Sequence, residues 1–232
     1  MNSQPAVDMV IEGRGLRREY VAAAARVVAL DNVDITVARG ELTVLAGPSG
    51  SGKSTLLRMV ACLDRPDAGS LHLEGAAVHD MTRAARRRLR RRRLGIVHPE
   101  PAGNLMHGLD AATNLELARR LRGRPASAAA GSADGADLDA VGLGGRERAH
   151  VSDLSNGEQL RLGLAVALAG APALIAADEP TASLDAATAV SIAALLRQLV
   201  DAGTTLLVAT HDAHLIDVAD AVIELEHGRR RS

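Results

Sequence analysis

Residues Gly47-Pro48-Ser49-Gly50-Ser51-Gly52-Lys53-Ser54 match the pattern G-x-x-x-x-G-K-[ST] without a departure, and this pattern dictates what must surround it. Such a loop works only where a buried strand ends and a helix begins. Its glycines let backbone N–H groups approach phosphate oxygens closely, and the following helix turns its positive end toward the same anion. Both flanks comply, with the apolar run Leu42–Ala46 leading in and a helical pattern over Lys53–Leu63 leading out. Lys53 offers a compact point charge to β- and γ-phosphates, the Ser54 hydroxyl can ligate Mg²⁺, and Thr55 extends the binding set. A Gly/Ser-rich turn with no ligand is the plain alternative. Against it, all 27 cationic side chains are arginine except Lys53, so a lysine survives only where the motif needs one.

The rest of the chain agrees with the α/β architecture that this loop demands. Short apolar runs alternate with helical patterns, which implies a largely parallel sheet. Strands are expected near Val7–Glu12, Asp34–Val37, Leu42–Ala46, Ser70–Leu73, Gly95–Val97, Leu174–Ala177, Thr205–Ala209 and Ala221–Glu226. Helices are expected over Lys53–Leu63, Arg83–Arg92, Ala111–Leu121, Asn156–Ala169, Ala186–Asp201 and His214–Ala219. The stretch Gly123–Asp137, rich in Ala, Ser and Gly, reads as a flexible connection or a weak helix. Length allows one large domain over residues 1–232, and Cys62 alone rules out an intramolecular disulfide. No basic-then-apolar leader is recognisable. The longest apolar run, Ala165–Ala177, is broken by Gly170 and Pro172 and is too short to span a bilayer. A cytoplasmic chain that reaches a membrane only through a partner is expected.

A second chemical site follows the apolar run Ala173–Ala177, where Asp178 and Glu179 stand at the carboxyl edge of a strand. Open α/β sheets hold ligands at that edge. Asp178 suits a Mg²⁺ anchor, directly or through water, and Glu179 can act as general base on an attacking water. Two acids after a strand also suit a helix N-terminal cap. The phosphate loop tips the balance toward chemistry.

Leu154-Ser155-Asn156-Gly157-Glu158-Gln159 resembles the LSGGQ signature of ABC (ATP-binding cassette) ATPases, at the family's distance ahead of Asp178. Pro180–Asp185 resembles the family's D-loop, His211 matches its switch histidine, and Tyr20 its adenine-stacking aromatic. The resemblance runs from about Val10 to Glu226. Around Leu63-Asp64-Arg65-Pro66 it is most similar to the macrolide-export and lipoprotein-release branch. It implies an ABC-type core with a mostly parallel sheet, an N-terminal antiparallel β part and a helical subdomain over about 98–169. It also implies ATP and Mg²⁺, transmembrane permease partners and a site on the inner face of the cell membrane. Two copies would face each other head to tail, with Ser155, Asn156, Gly157 and Asp185 of one copy completing the other's nucleotide site. Each residue has a plainer reading: Ser155 as an N-cap, His211 as structural, Tyr20 as a core or surface tyrosine. Asn156 replaces a usual glycine, and Asn tolerates left-handed backbone better than most residues.

One motif departs from the family. Where a glutamine normally follows a short strand, Val97-His98-Pro99-Glu100-Pro101 puts Pro99, which has no side-chain donor or acceptor. Either His98 or Glu100 takes over, or hydrolysis is slow and the chain is an ATP-sensing regulatory subunit. Arg83–Arg93 holds eight arginines in eleven positions, a solvated helix face or a contact for lipid headgroups or an acidic helix. Nucleic acid is not expected, because Tyr20 is the only aromatic residue among Phe, Trp and Tyr and the net charge is -1.

Overall fold

The strand leading into the phosphate loop is buried at all five of its positions, Leu42–Ala46, as a strand covered on both faces must be. Leu42 and Val44 join one apolar cluster and Leu45 the other, so alternate side chains serve two separate cores. In the computed structural model, which describes residues 8–22, 25–123 and 137–231, this strand (β3) lies inside a six-stranded sheet. Its parallel neighbours are β8 (Leu206–Ala209) and β9 (Ala221–Glu226), and β7 (Leu174–Asp178) and β6 (Leu94–Val97) extend the parallel run. The short β10 (Arg229–Arg230) closes the far edge in the antiparallel sense.

A second sheet of four strands is wholly antiparallel, in the order β2-β1-β4-β5. It comprises β1 (Met9–Ala22), β2 (Ala25–Ala38), β4 (Ala68–Leu73) and β5 (Ala76–Ala77). Helix α1 (Lys53–Val60) lies between the sheets and buries Leu56, Leu57, Met59 and Val60 in their common core. On the opposite face of the six-stranded sheet, α3 (Ala111–Leu121), α4 (Asn156–Leu168) and α5 (Ala186–Asp201) share the other core. The cluster joins Leu115, Leu162 and Leu164 to Val97, Ile175 and Val208 of the sheet. Two further α-helices are α2 (Arg83–Arg93) and α6 (Ala213–Asp217).

The N-terminal strands are much longer than their sequence predicts. Register shifts break the β1–β2 pairing between Gly13 and Leu16, Leu16 and Arg18, and Arg18 and Glu19, so the alternation of apolar residues is lost. Ion pairs act there instead, Arg17 donating to Asp31 across the hairpin at 2.7 Å and Arg18 to Asp67, just ahead of β4, at 2.8 Å. Helix α1 stops three residues before the expected Leu63. Cys62 adopts φ 56°, Cys62 N–H donates to Met59 and Leu63 N–H to Arg58, the left-handed stop of a Schellman turn. The expected strand at Val7 begins outside the described residues, and so does the connection between Gly123 and Asp137.

Candidate functional site

Between β3 and α1 the chain wraps so tightly that two positions admit only glycine. Gly47 has φ 143°, and a Cβ there would sit 2.2 Å from the Leu225 carbonyl oxygen. Gly52 has φ 105°, and its Cβ would meet the Ala29 carbonyl oxygen at 2.7 Å. We expect Gly47→Ala to destabilise the fold by about 2–4 kcal/mol, because both the backbone and the contact are forbidden. Urea unfolding measures this, and a variant within about 0.5 kcal/mol of the parent would contradict the packing.

Gly52 caps α1 without a side-chain hydrogen bond, and no acid occupies the first turn. The other five helices named above are each capped by a side chain: Thr82, Asp110, Ser155, Asp185 and Asp212. Helix α1 alone keeps its N-terminal donors and its positive end for an outside anion. Two further observations fit phosphate there. The Ser51 hydroxyl oxygen is buried with no hydrogen-bond partner. Lys53, only 6 % exposed, donates solely to the carbonyls of Gly47 (2.7 Å) and Pro48 (3.1 Å).

The carboxylates stand opposite. Ser54 Oγ donates to Asp178 Oδ1 at 3.0 Å, which places a hydroxyl and a carboxylate side by side. Burial pushes the Asp178 carboxyl above its ordinary pKa, the Glu179 charge adds to this, and the Ser54 hydrogen bond opposes it. A divalent cation would relieve that penalty. Mg²⁺ suits the pair because it takes one or two carboxylates plus substrate phosphates rather than an all-protein cage. Among the described residues no cluster of three His, Cys, Asp or Glu forms such a cage.

Glu179 sits in left-handed backbone at φ 42°, an unusual conformation for a residue with a Cβ. Its N–H donates to the Ala209 carbonyl at 2.8 Å, tying it to the end of β8. The carboxylate is gripped from two sides, by the Thr210 hydroxyl at 3.1 Å and by His211 Nδ1 at 3.0 Å. An ionised carboxylate only accepts, so Nδ1 is the donor in this hydrogen bond. Lys53 Nζ is 3.8 Å from the same carboxylate. Nearby, the Thr181 hydroxyl donates to Asp212 at 2.7 Å, joining the loop after β7 to the loop after β8.

These groups enclose a cleft of 560 Å³ lined by Pro48, Ser49, Gly50, Gly52, Lys53, Ser54, Thr55, Glu179, Ala182 and His211. Val27, Val28 and Ala29 of β2 form its remaining wall. Sequence reasoning assigns no role to these three or to Thr210. Val27 is 52 % exposed, an apolar residue on a hairpin whose exposure is the one signal it offers. Tyr20 does not line the cleft. It pairs in register with Val27, which does, but its ring lies 4.9 Å beneath the Arg18 guanidinium and its hydroxyl faces Asp64 at 3.4 Å.

Ser155, Asn156, Gly157 and Asp185 are likewise absent from the cleft wall. Ser155 and Glu158 form a reciprocal capping box, Glu158 accepting from Ser155 N–H at 2.9 Å. Asn156 is the first residue of α4, so the left-handed backbone anticipated for it is not required. Asp185 caps α5 through Thr188 N–H at 3.0 Å. His98, Pro99 and Glu100 are exposed and line no part of the cleft.

Comparison with known proteins agrees with this geometry. The family model described as "ABC transporter" matches residues 30–182. The lipoprotein-releasing system ATP-binding protein LolD of Anaeromyxobacter dehalogenans is 40% identical over 98% of this chain and 95% of that protein. The chain belongs to the ABC transporter ATP-binding family, and it is an ATPase of that family. The macrolide export ATP-binding/permease protein MacB of Rhodopseudomonas palustris is 38% identical over 94% of this chain, which spans 33% of MacB. Among solved structures, the dimeric post-hydrolysis state of the ATP-binding cassette MJ0796 bound to ADP and Pi superposes with TM-score 0.84. That cassette is 31% identical over 96% of this chain and 97% of its own. The family assignment accounts for both sheets, and no described helix is long and apolar enough to cross a membrane.

Proposed function

We propose that this ABC subunit is the ATP-hydrolysing motor of a membrane transporter, working as a head-to-tail pair with ATP held between two copies. One observation carries the hydrolytic reading. Glu179 is held in strained backbone beside the phosphate loop, and its carboxylate is clamped by Thr210 and His211. A general base needs this kind of fixed orientation.

The roles follow from the geometry. The α1 N-terminus and the loop N–H groups bind the β- and γ-phosphates, and Lys53 exchanges its carbonyl partners for phosphate oxygens. Ser54 and Asp178 would hold Mg²⁺, which would neutralise charge developing on the phosphates. Glu179 takes the proton of the attacking water, while His211 keeps the carboxylate aimed and, with Nε2 also protonated, donates to the γ-phosphate. In the paired arrangement the second copy closes the cleft with Ser155, Asn156 and Gly157 at the positive end of α4, and with Asp185 nearby. The exposure of Ser155, Asn156 and Asp185 outside their own cleft supports this reading, as does the dimeric state of the MJ0796 cassette. The adenine belongs against Val27 and Val28, with Tyr20 turning from Arg18 to cover it. The helical elements between His98 and Ala169 form the subdomain that meets transmembrane permease subunits on the inner face of the membrane.

Pro99 favours a second reading, an ATP-sensing regulatory subunit with weak turnover. Single-turnover hydrolysis of radiolabelled ATP separates the two: phosphate release within minutes supports the motor, and bound ATP that stays intact supports the sensor. We expect Pro99→Gln to raise kcat by up to ~10²-fold with little change in ATP affinity, because an amide there can orient water. If kcat is unchanged while Glu100→Ala abolishes activity, the loop uses Glu100 instead.

A further inference from the structure

Helix α2 sorts its eight arginines into two sets. The inward set is partnered by the protein. Arg93 Nε donates to Glu74 at 2.6 Å, Arg86 to the Met81 carbonyl at 3.0 Å, and Arg90 to the Cys62 carbonyl at 2.9 Å. Leu89, on the same side, packs against the core. The outward set is Arg83, Arg87, Arg88, Arg91 and Arg92, all exposed, and none has an ion-pair or hydrogen-bond partner among the described residues.

At helical spacing Arg83, Arg87 and Arg91 form one row, and Arg88 and Arg92 continue a second row begun by Ala84. Like charges four residues apart destabilise a helix, and this face contains three such pairs, 83/87, 87/91 and 88/92. The chain's use of arginine at every cationic position but one accounts for these residues being arginine rather than lysine. It does not explain why the helix contains no acid, in a chain whose net charge is -1. Beside the helix runs a cleft of 880 Å³ lined by six of these arginines with Cys62 and Leu63, large enough for phosphate-bearing groups.

The nature of the partner follows from what this face lacks. A protein-docking site needs an apolar centre that excludes water, whereas the outward rows hold one apolar residue, Ala84, and the cleft beside them adds only the partly exposed Leu63 and the buried Cys62. Single-stranded nucleic acid needs stacking platforms, and the one aromatic side chain, Tyr20, is engaged by Arg18. A membrane leaflet rich in anionic lipid needs only clustered positive charge. We propose that the outward face of α2 binds anionic phospholipid headgroups, through Arg83, Arg87, Arg88, Arg91 and Arg92. This contact goes beyond the motor reading and needs neither nucleotide nor permease.

Sedimentation of the full chain with vesicles tests it, without nucleotide. The chain should pellet with phosphatidylcholine vesicles containing about one third phosphatidylglycerol, should ignore pure phosphatidylcholine, and should detach as salt is raised. Each basic residue near an anionic leaflet strengthens adsorption roughly fivefold, so Arg83→Gln/Arg87→Gln/Arg91→Gln should weaken it about a hundredfold. The same three positions changed to Lys should bind within a few-fold of the parent. A charge-matched control, Arg14→Gln/Arg148→Gln/Arg230→Gln, should also stay within a few-fold. ATP hydrolysis without lipid should be the same in all of these, so that a failure of the motor reading shows separately. Equal binding to neutral vesicles, salt-independent binding, an equal loss in the control, or loss in the Lys variant would overturn the proposal. Capture by polyglutamate with no binding to vesicles would overturn it as well, and would assign the face to an acidic protein segment.

Discussion

Replacing Glu179 with Gln should reduce ATP hydrolysis by about 10²–10⁴-fold and leave ATP binding intact or tighter. The amide keeps the volume of the carboxylate and can still accept from Thr210, whose hydroxyl lies 3.1 Å away. It cannot take a proton from water. The variant also removes a negative charge 3.8 Å from Lys53, freeing that ammonium for the phosphates. Single-turnover hydrolysis and titration calorimetry measure the two halves of the expectation. A rate within tenfold of the parent would exclude Glu179 as the base.

Lys53→Arg should abolish nucleotide binding, with ATP affinity falling at least ~10²-fold, or about 2.7 kcal/mol. The ammonium is 6 % exposed and lies between the carbonyls of Gly47 and Pro48, at 2.7 and 3.1 Å. A planar guanidinium is larger, presents its donors in a fixed fork, and would push against a loop that its own glycines hold tightly. That the charge is retained makes the test sharp, since only shape and donor geometry change. The chain uses arginine at every other cationic position, so its only lysine is where arginine fits least. Equal ATPase rates in parent and variant would refute this account of the loop.

The parts of the site that could be read in the sequence are those whose chemistry depends on neighbours along the chain. Gly47 to Ser54 carries its own turn, donors and cation within eight consecutive residues. Asp178 and Glu179 end an apolar strand, and the edge of a parallel sheet faces its ligand for topological reasons. What could not be read depends on contacts made across the fold. The clamp on Glu179 comes from Thr210 and His211, thirty-one and thirty-two residues away. Its left-handed backbone has no sequence signal, because glutamate rarely adopts it.

The N-terminal hairpin shows the same limit in the fold. Between Gly13 and Glu19 its register shifts repeatedly and ion pairs replace the apolar alternation, so a period-two reading catches only the ends of β1 and β2. The cleft wall of Val27, Val28 and Ala29 belongs to the part that was missed. Asn156 failed in the opposite direction. The family resemblance placed it where glycine is usual, which pointed to a backbone constraint, yet the residue is plainly helical. The two sets of arginines in α2 are also invisible along the sequence, because the division is set by Glu74, Met81 and Cys62 on other elements.

In the proposed head-to-tail pair neither copy surrounds ATP alone, since Ser155 and its neighbours lie outside their own cleft. Light scattering of Glu179→Gln with saturating Mg·ATP tests this most directly. A mass close to twice that of the monomer is expected, reverting to monomer when Ser155→Arg is added to the same chain. A variant that remains monomeric with its site filled, or a dimer indifferent to Ser155→Arg, would contradict the head-to-tail arrangement.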